Sequence, residues 1–541
     1  MLDNQQTHLI PSSENLQRHL LTITGIGKWQ TLVGELNEHR SFVHSYFEQL
    51  FAEQTIAQGD VVVWPKALTP QADEIIDGWE NGFINYGVSN HVRHRLKPLT
   101  RGIATYLEGK QANASNTIIR LHEFFRALPS GEQYFRLLAE SPRLLASIVP
   151  PLLYSPAMTL LLKQSPHIID CYLREQWSYP EPFDSSYVKQ ADDYGERLER
   201  MRRFVNEHLY QLYLCFLNGV LTVKSFQQAL TELAEHSLEL ALEVVADKMS
   251  LDTVPITVIG MGKIALGKMS PLSDLDLIFV FDQEKTSLEL ASRFVSRLQT
   301  AISTPMREGI LYELDTRLRP SGRSGAPTVS IDSFENHHLD RAHTWEHIAL
   351  VPSRVVAGNR EPESKLNEIK SMLITRARSE VQLLNDSQKM WHRIAEHRVK
   401  EIGQDRMFSK LRKGGLMQAE YLAACLILAA GHTLPSTIVE FDDLLELVET
   451  SGELANAIDF WRCQQLWERL LGWSEKDIFS LPNEYLLTLL KQSKVSTIEE
   501  LIKKKEYYSN FVEERMSALF SDNILDDQQL EEWLEAKVHW A

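Results

Sequence analysis

The stretch that decides the fold is Gly260–Asp282, which reads GMGKIALGKMSPLSDLDLIFVFD. It follows a strand-like apolar run, VPITVI at Val254–Ile259, and opens with a glycine-rich turn. Two aspartates, Asp274 and Asp276, then lead into a second apolar run, Leu277–Phe281. Because alternate residues of a strand face the same side, the two carboxylates are predicted to share one face. Paired carboxylates beside the backbone amides of a tight turn predict a site for Mg²⁺ and a nucleoside triphosphate.

A third carboxylate is predicted on a later strand, ILYELDTRLRP at residues 310–320. On that strand Asp315 would share a face with Arg317 and Arg319. Three carboxylates can hold two Mg²⁺ ions, which orient a phosphate and lower the pKa of an attacking hydroxyl. Arginine neutralises charge on a transferring phosphate. The predicted catalytic metal ligands are therefore Asp274, Asp276 and Asp315.

The glycine turn also predicts contacts with the phosphates of a nucleotide. Gly262 begins a short run of small residues that is typical of a helix start, where free N–H groups bind phosphate. Lys263 would reach a phosphate as a point charge. Ser273 is a further candidate, either for a phosphate contact or for a turn. Surface exposure of Lys263 and a purely local role for Ser273 remain open alternatives.

The amino-acid composition of the chain argues against some classes of binding partner. The chain has 541 residues with 56 Lys and Arg against 73 Asp and Glu, a formal net charge of −17. This acidity argues against a nucleic-acid binder, because phosphate neutralisation needs clustered basic residues. No apolar run is long enough to span a membrane, and no secretory signal is visible, so a cytoplasmic location is expected. The four cysteines are too far apart for a metal or redox motif, which predicts free buried thiols.

The pattern along the chain predicts an α+β protein that is mostly α-helical. Residues 251–335 alternate strands with a helix at 286–304, which predicts an α/β nucleotidyltransferase domain embedded between helical domains. Residues 1–75 read as a helical segment and 76–250 as a helical region that leads into the catalytic domain. Residues 336–541 read as a C-terminal helical bundle.

Several segments resemble the glutamine synthetase adenylyltransferases, whose catalytic domain has a polymerase-beta-like fold. GKIALGKMSPLSDLDLIFVFD is similar to the family's G-K-L-G-G and S-D-[LI]-D-L-I-F-V pattern, and YELDTRLRPSGRSGAPTVS at 312–330 is close to its R-L-R-P-S-G segment. TWEHIALVPSRVVAGN at 344–359 and RKGGLMQAEYLAACLIL at 412–428 follow in the family's order. LPSGEQYFRLLAESPRLL at 128–145 resembles the segment that precedes the second catalytic half.

The resemblance implies transfer of AMP from ATP, with Mg²⁺, to a tyrosine of glutamine synthetase, with the PII signal protein and glutamine as effectors. The family has two tandem catalytic halves, of which the first removes AMP and the second attaches it. One D-x-D site is recognisable here, so the chain resembles the C-terminal, adenylylating half, and residues 1–75 resemble the end of the first. By analogy the removal site should be absent, and the missing half is expected to be encoded separately or lost.

The family's functional positions carry over residue by residue. Asp274, Asp276 and Asp315 match its metal-binding carboxylates, and Gly262 and Lys263 match its nucleotide turn. Arg317 and Arg319 match the R-L-R-P arginines, and Glu420 matches the glutamate of the helical domain. Two positions depart from the pattern. Ala265 and Leu266 replace a Gly-Gly pair, and Gln418 replaces the Asp of the R-G-G-x-x-D-I-E segment.

Three other interpretations compete with adenylylation. The string His343–His347 reads H-x-x-E-H, a zinc-protease motif in which two histidines on one helix face bind zinc and Glu346 acts as the base. The second interpretation is that the chain is a catalytically weak or regulatory half, which needs a separately encoded N-terminal half. A different nucleotidyltransferase, such as a uridylyltransferase, is the third, and the R-L-R-P-S-G and W-E-H segments argue against it.

Overall fold

The structure is a computed structural model. It describes residues 14–24, 26–34, 62–66, 68–81, 97–108, 111–128, 131–168, 183–320, 326–401, 409–472, 478, 481 and 483–520. The chain divides into two compact units, Met1–Pro150 and Pro151–Ala541. Much of the predicted helical stretch over residues 1–55, including Phe42, Tyr46 and Leu50, lies outside the described residues.

The first unit is helical throughout its described part. Its helices are α1 Glu14–Thr24, α2 Pro70–Glu80, α3 Lys97–Leu107, α4 Gln111–Ala127, α5 Gly131–Glu140 and the first part of α6 Pro142–Tyr154. Aromatic side chains form its core, with Trp79 against Phe125 at 5.7 Å and Phe125 against Phe135 at 5.0 Å between ring centroids. Edge-to-face rings at these spacings add to the stabilisation from burial alone.

The second unit contains a five-stranded sheet surrounded by helices. Its helices are α7 Pro156–Gln164, α8 Ser186–Lys189, α9 Tyr194–Leu217, α10 Val223–Lys248, α11 Gly262–Ala265, α12 Leu288–Ser303, α13 Ile331–Asp340, α14 Thr344–Leu350, α15 Glu363–Thr375, α16 Glu380–Glu401, α17 Leu416–Ala429, α18 Phe441–Val448, α19 Glu453–Leu471, α20 Asn483–Gln492 and α21 Ile498–Leu519. The prediction of a mostly helical α+β protein is confirmed. Across the described residues, every helix is too short or too polar to cross a membrane.

The sheet is mixed, with strand order β3-β2-β1-β5 and a further strand, β4, also paired to β2. Its strands are β1 Thr257–Gly260, β2 Leu275–Phe281, β3 Leu314–Asp315, β4 Val329–Ser330 and β5 Arg354–Gly358. β1 pairs antiparallel with β2 and with β5, whereas β3 and β4 run parallel to β2. The two central strands are therefore β1 and β2, which flank the glycine turn.

Local sequence explains the elements around this turn. Leu275, Leu277 and Phe279 of β2 are buried, as the alternation pattern predicts, while Asp276 is only half-buried. Helix α12 begins after Ser287, whose hydroxyl accepts a hydrogen bond from the Leu290 amide at 3.2 Å. This N-cap replaces a hydrogen bond that the first helical turn cannot form internally. The helix predicted at 286–304 is confirmed.

Two elements differ from the predictions. The strand predicted over 310–320 is reduced to Leu314–Asp315, because the Asp315 carboxylate accepts a hydrogen bond from the Arg317 amide at 2.9 Å. A local hydrogen bond of this kind, from a side chain to the backbone, turns the chain so that it no longer pairs with the neighbouring strand. Arg354–Gly358 is a strand inside the stretch predicted to be helical. Its short β-branched run Val355–Val356 gains its hydrogen bonds from β1, a partner about 100 residues distant in sequence.

Arg202 on α9 anchors the segment that leads into β3. Its fully buried guanidinium donates to the main-chain carbonyls of Leu198, Ala301, Thr304 and Gly309 at 2.7–2.9 Å. The side chain thereby connects α9, the end of α12 and the loop at residues 304–309. This loop precedes the segment that carries Asp315, and Arg202 holds it together with Glu199 and Asn206 of the same helix.

Replacement of Arg202 by Met should destabilise the second unit by roughly 3 kcal/mol or more, because four buried carbonyls would lose their donors. The midpoint of urea unfolding, followed by tryptophan fluorescence, measures the loss. The matched control is Arg203→Met, because Arg203 is 46% exposed and pairs with Glu308 only at 3.6 Å. That change should cost less than about 1 kcal/mol. Equal midpoints for the two variants would contradict the anchoring role.

Candidate active site

Asp274, Asp276 and Asp315 converge at the start of β2. One carboxylate oxygen from each lies within 4.8 Å of the others. The convergence follows from strand pairing: β2 and β3 are parallel, and Asp276 lies directly opposite Asp315 in the register. The Leu275 amide also donates to the carbonyl of Glu313 at 2.9 Å, which secures the two strands at this point. The three carboxylates predicted from the sequence are thus brought together.

The electrostatics of this cluster favour a cation. Burial, followed by the charges of Asp274 and Asp315, raises the pKa of the Asp276 carboxyl to about 6, although the charges of Lys410 and Lys263 oppose the rise. Three carboxylates held this closely repel one another unless positive charge lies between them. An all-oxygen set of this kind fits Mg²⁺, which prefers hard oxygen ligands.

The turn at Gly262 lies directly beside this cluster. Gly262 has a φ of +55°, which favours glycine, and a Cβ atom there would lie 3.2 Å from the Asp276 carboxylate. The preceding amide, of Met261, donates to the carbonyl of Asp276 at 2.9 Å. Helix α11 begins at Gly262, as predicted, so its first N–H groups lie next to the carboxylates.

Arg354 of β5 holds the far side of the turn. Its Nε donates to the carbonyl of Ala265 at 2.8 Å, and its Nη2 donates to the carbonyl of Ile264 at 3.1 Å and to the carboxylate of Glu235. The replacement of the family's Gly-Gly by Ala265 and Leu266 is compatible with this geometry, because the arginine contacts the turn only through its backbone carbonyls. Arg354 therefore fixes the turn from a strand that the sequence did not predict.

Lys263 and Ser273 belong to one hydrogen-bond network. The Lys263 ammonium donates to the hydroxyl of Ser270 at 2.8 Å and to that of Ser273 at 3.4 Å, and the two hydroxyls are 2.8 Å apart. Burial, followed by the charges of Arg469 and Lys410, holds the pKa of Lys263 well below its usual range. The predicted alternative of a freely exposed surface lysine is wrong, since its ammonium lies in this network.

Two basic residues that the sequence analysis missed face the site. Arg469 of α19 donates to the carbonyls of Pro271 and Leu272 at 3.2 and 3.0 Å and to the Ser273 hydroxyl at 3.3 Å. Lys410 acts on the pKa values of Asp276 and Lys263 through its charge. Lys410 lies just before the RKGG segment, and its position next to this family-like segment could have identified it as a candidate site residue. No local pattern marks Arg469, because it comes from a helix about 200 residues downstream.

Glu420 and Gln418 of α17 lie in the same neighbourhood. Glu420 accepts a hydrogen bond from the Arg462 Nε at 3.1 Å, and its negative charge favours the protonated form of Lys263. Gln418 is buried and accepts from the amide of Gly414 at 2.9 Å. Gln418 therefore stabilises the turn that contains Gly414. An amide oxygen accepts this hydrogen bond without the negative charge of the Asp that the family pattern has at this position.

The two predicted phosphate-binding arginines do not share one environment. Arg317 folds back onto Asp315, with Nε at 2.9 and 2.7 Å from the two carboxylate oxygens. Arg319 donates instead to the carbonyl and hydroxyl of Thr316 at 2.7 and 2.8 Å. Both positions differ from the predicted strand face because the chain turns at residue 316. Arg317 occupies the face of Asp315 that a metal would otherwise approach.

The H-x-x-E-H string does not form the predicted helical zinc site. Helix α14 begins at Thr344, so His343 is its N-cap residue, with an extended backbone (φ −78°, ψ 158°) in place of a helical one. The carboxylate of Glu346 accepts from the His343 amide at 3.0 Å and contacts the His337 Nε2 at 2.7 Å. The His347 Nε2 lies 2.9 Å from the carbonyl of His338.

The raised pKa of Asp276, which comes from burial and from repulsion by Asp274 and Asp315, predicts a pH-dependent stability of the metal-free protein. An unfolded Asp has a pKa near 3.9, and the folded value is about 6. Folding is therefore favoured by protonation of Asp276, and this contribution is lost as the pH rises through that interval. Asp276→Asn should stabilise the chain by on the order of 2 kcal/mol at pH 8 in EDTA, and by less at pH 5.

The measurement is the midpoint of urea unfolding at both pH values, with Asp252→Asn as the control. Asp252 is exposed and lies outside the carboxylate cluster, so its replacement should leave the pH dependence unchanged. A lower midpoint for Asp276→Asn at pH 8 would contradict the electrostatic account of the site.

Comparison with known proteins agrees with this geometry. Residues 145–369 match the family model described as Glutamate-ammonia ligase adenylyltransferase. The bifunctional glutamine synthetase adenylyltransferase/adenylyl-removing enzyme of Agrobacterium fabrum is 27% identical over 471 residues, which cover 79% of this chain and 47% of that protein. The enzymes of the same name from Rhizobium meliloti and Neisseria meningitidis serogroup A are 27% and 26% identical, covering 85% and 86% of this chain and 51% and 56% of theirs.

The matched region contains every residue of the carboxylate cluster and of the glycine turn. The chain spans about half the length of the curated relatives it matches. The sequence segments that resemble this family, the fold of the second unit and the family match all point the same way. The family match covers residues 145–369, and over this region the chain is similar to the glutamate-ammonia ligase adenylyltransferase family.

Proposed function

We propose that this protein transfers AMP from ATP to a tyrosine hydroxyl of glutamine synthetase. The observation that carries the proposal is the convergence of Asp274, Asp276 and Asp315 within 4.8 Å, beside the turn at Gly262. The names of the relatives support both the reaction and the protein substrate. Location in the cytoplasm and regulation by the PII signal protein and glutamine are parts of the proposal that rest on the family resemblance.

The three carboxylates would hold Mg²⁺, which supplies neutralisation of the phosphate charge and lowers the pKa of the attacking hydroxyl. The chain's own residues then position the substrate. The N–H groups at the start of α11 face the phosphates, and Lys263 lies beside them with Ser270 and Ser273. The tyrosine oxygen bonds to the α-phosphorus, the bond to the bridging oxygen breaks, and pyrophosphate leaves. Alignment and charge neutralisation account for most of such catalysis.

Lys263 and Arg317 would change partners when a nucleotide binds. Without a nearby anion, burial and neighbouring positive charge disfavour the protonated form of Lys263. A triphosphate supplies that anion and favours the ammonium ion. Arg317 pairs with Asp315 in the ligand-free chain and is 64% exposed. A metal ion at Asp315 would displace this guanidinium, which is then free to contact a phosphate oxygen.

A cavity of about 520 Å³ lies beside the loop at residues 269–273, which connects the glycine turn to Asp274. Its wall includes Ser270 and Ser273, which belong to the Lys263 network, together with apolar side chains and the amides of Gln164 and Asn206. Ligand sites in proteins commonly have ~300–1,000 Å³ and a mostly apolar lining with a few polar groups. The size and lining of this cavity are those of a small-molecule site, and its contact with Ser270 and Ser273 places it next to the hydrogen-bond network of Lys263.

Replacement of Asp274 and Asp276 by Asn should reduce AMP transfer by at least ~10²–10³-fold, the scale seen when one preorganised charge-stabilising group is removed. Label transfer from α-³²P ATP to glutamine synthetase, with Mg²⁺, measures the effect. The control is Asp252→Asn, an exposed aspartate outside the site, which should retain full activity. A double variant that folds and still transfers AMP would overturn the proposed function.

The same assay also distinguishes an active half from a regulatory one. Transfer by this chain alone makes it an independent adenylyltransferase. Transfer that requires an added N-terminal half of a family member, and still depends on Asp274 and Asp276, places the catalytic site in this chain and the control elsewhere. Transfer that persists in the double variant when the other half is present assigns catalysis to the partner.

A further inference from the structure

A second group of metal-ligating side chains lies on the other side of the sheet domain, between α13 and α14. His337 and His338 come from α13 and Glu346 from α14, and one ligand atom from each lies within 4.8 Å of the others. In the part of the chain that the structure describes, this and the carboxylate cluster are the two such groups. The proposed nucleotidyl transfer uses none of these three residues.

His338 lacks the polar partner that a buried imidazole normally has. The residue is 1% exposed, and neither ring nitrogen has a hydrogen-bond partner among the described residues. Phe334 packs against one side, with ring centroids 4.5 Å apart. Buried polar atoms in folded proteins are nearly always paired, so two unpaired nitrogens on one ring call for an explanation.

His337 and Glu346 supply the other two ligand atoms. The His337 Nε2 lies 2.7 Å from one carboxylate oxygen of Glu346. The other oxygen accepts from the His343 amide at 3.0 Å, so the carboxylate is oriented by the start of α14. Their side chains are 19% and 11% exposed, which leaves a path for an ion and for a water ligand. Outer-shell hydrogen bonds of this kind commonly orient metal ligands.

We propose that His337, His338 and Glu346 bind one Zn²⁺ ion, with water as the fourth ligand. Two imidazoles and one carboxylate are a common zinc set, whereas the all-oxygen cluster at Asp276 suits Mg²⁺. Zinc bonds of ~2.0–2.1 Å in tetrahedral geometry place ligand atoms ~3.3 Å apart, and small side-chain rotations bring these three atoms to that spacing. The ion gives the His338 ring the partner that it lacks.

This ligand set differs from the H-x-x-E-H string in both histidines. His343 is exposed at the N-cap of α14, and His347 directs its Nε2 at the backbone carbonyl of His338. The ion would join two consecutive helices of the second unit. Both pack against α15; α13 also packs against β2 and β4, and α14 also packs against α16 and α17. Because α17 carries Glu420, the expected role is structural, fixing the helical region that faces the nucleotide turn.

The test uses the full chain without a histidine tag, stripped with a chelator and kept in millimolar Mg²⁺ so that the carboxylate cluster is occupied. Co²⁺ should bind with a stoichiometry of one and give the intense visible absorption of tetrahedral coordination, and Zn²⁺ should displace it. Zn²⁺ should also raise the thermal unfolding midpoint. His337→Gln, His338→Gln and Glu346→Gln should each weaken Zn²⁺ binding by ~100-fold or more, since even outer-shell changes cost ~10–100-fold.

The matched control is His343→Gln, which alters the neighbouring exposed histidine and should leave Zn²⁺ affinity unchanged. His337 and Glu346 are partly exposed, so their variants keep the test valid if His338→Gln does not fold. Absence of stoichiometric Zn²⁺ binding overturns the proposal and leaves His337 and Glu346 as a hydrogen-bonded pair. Loss of binding in His343→Gln and His347→Gln, but not in His337→Gln, overturns it in favour of the H-x-x-E-H set.

Discussion

The mutual repulsion of three carboxylates is the constraint on which the rest of this site depends. Parallel pairing of two short strands forces Asp276 and Asp315 to face each other, and Asp274 adds a third negative charge. The fold tolerates this arrangement because several groups compensate for it. Arg317 pairs with Asp315, and the positive charges of Lys410 and Lys263 act on Asp276. A cation bound between the carboxylates would remove the repulsion, which is why the cluster favours a metal.

The surrounding basic residues come from distant parts of the chain. Lys263 lies in the glycine turn, Lys410 precedes α17, and Arg469 lies near the end of α19. Arg469 binds the loop that connects the turn to the first aspartate, through two carbonyls and one hydroxyl. The C-terminal helices are therefore structural parts of the site. A change in their packing would alter the charge around the carboxylates without altering any ligand.

The two clusters of ligating side chains differ in chemistry and in place. One is composed of carboxylate oxygens beside the glycine turn, and the other combines two imidazoles with a carboxylate between two helices. Hard metal ions prefer oxygen ligands, whereas borderline ions such as Zn²⁺ also bind imidazole nitrogen well. The two clusters therefore need not compete for one ion. This separation allows a structural ion and a catalytic ion to act in the same domain.

Short-range sequence patterns determined the strands that flank the turn, the need for glycine at Gly262, the helix after Ser287 and the shared face of Asp274 and Asp276. Each of these depends on backbone preference or on alternation over a few residues, and such information is local. Tertiary structure alone decided that Arg469 reaches Ser273, and that the side chains of His337 and His338 rather than that of His343 lie beside Glu346. Those outcomes depend on how separate helices pack against one another and against the loops of the sheet, and no local pattern encodes such contacts.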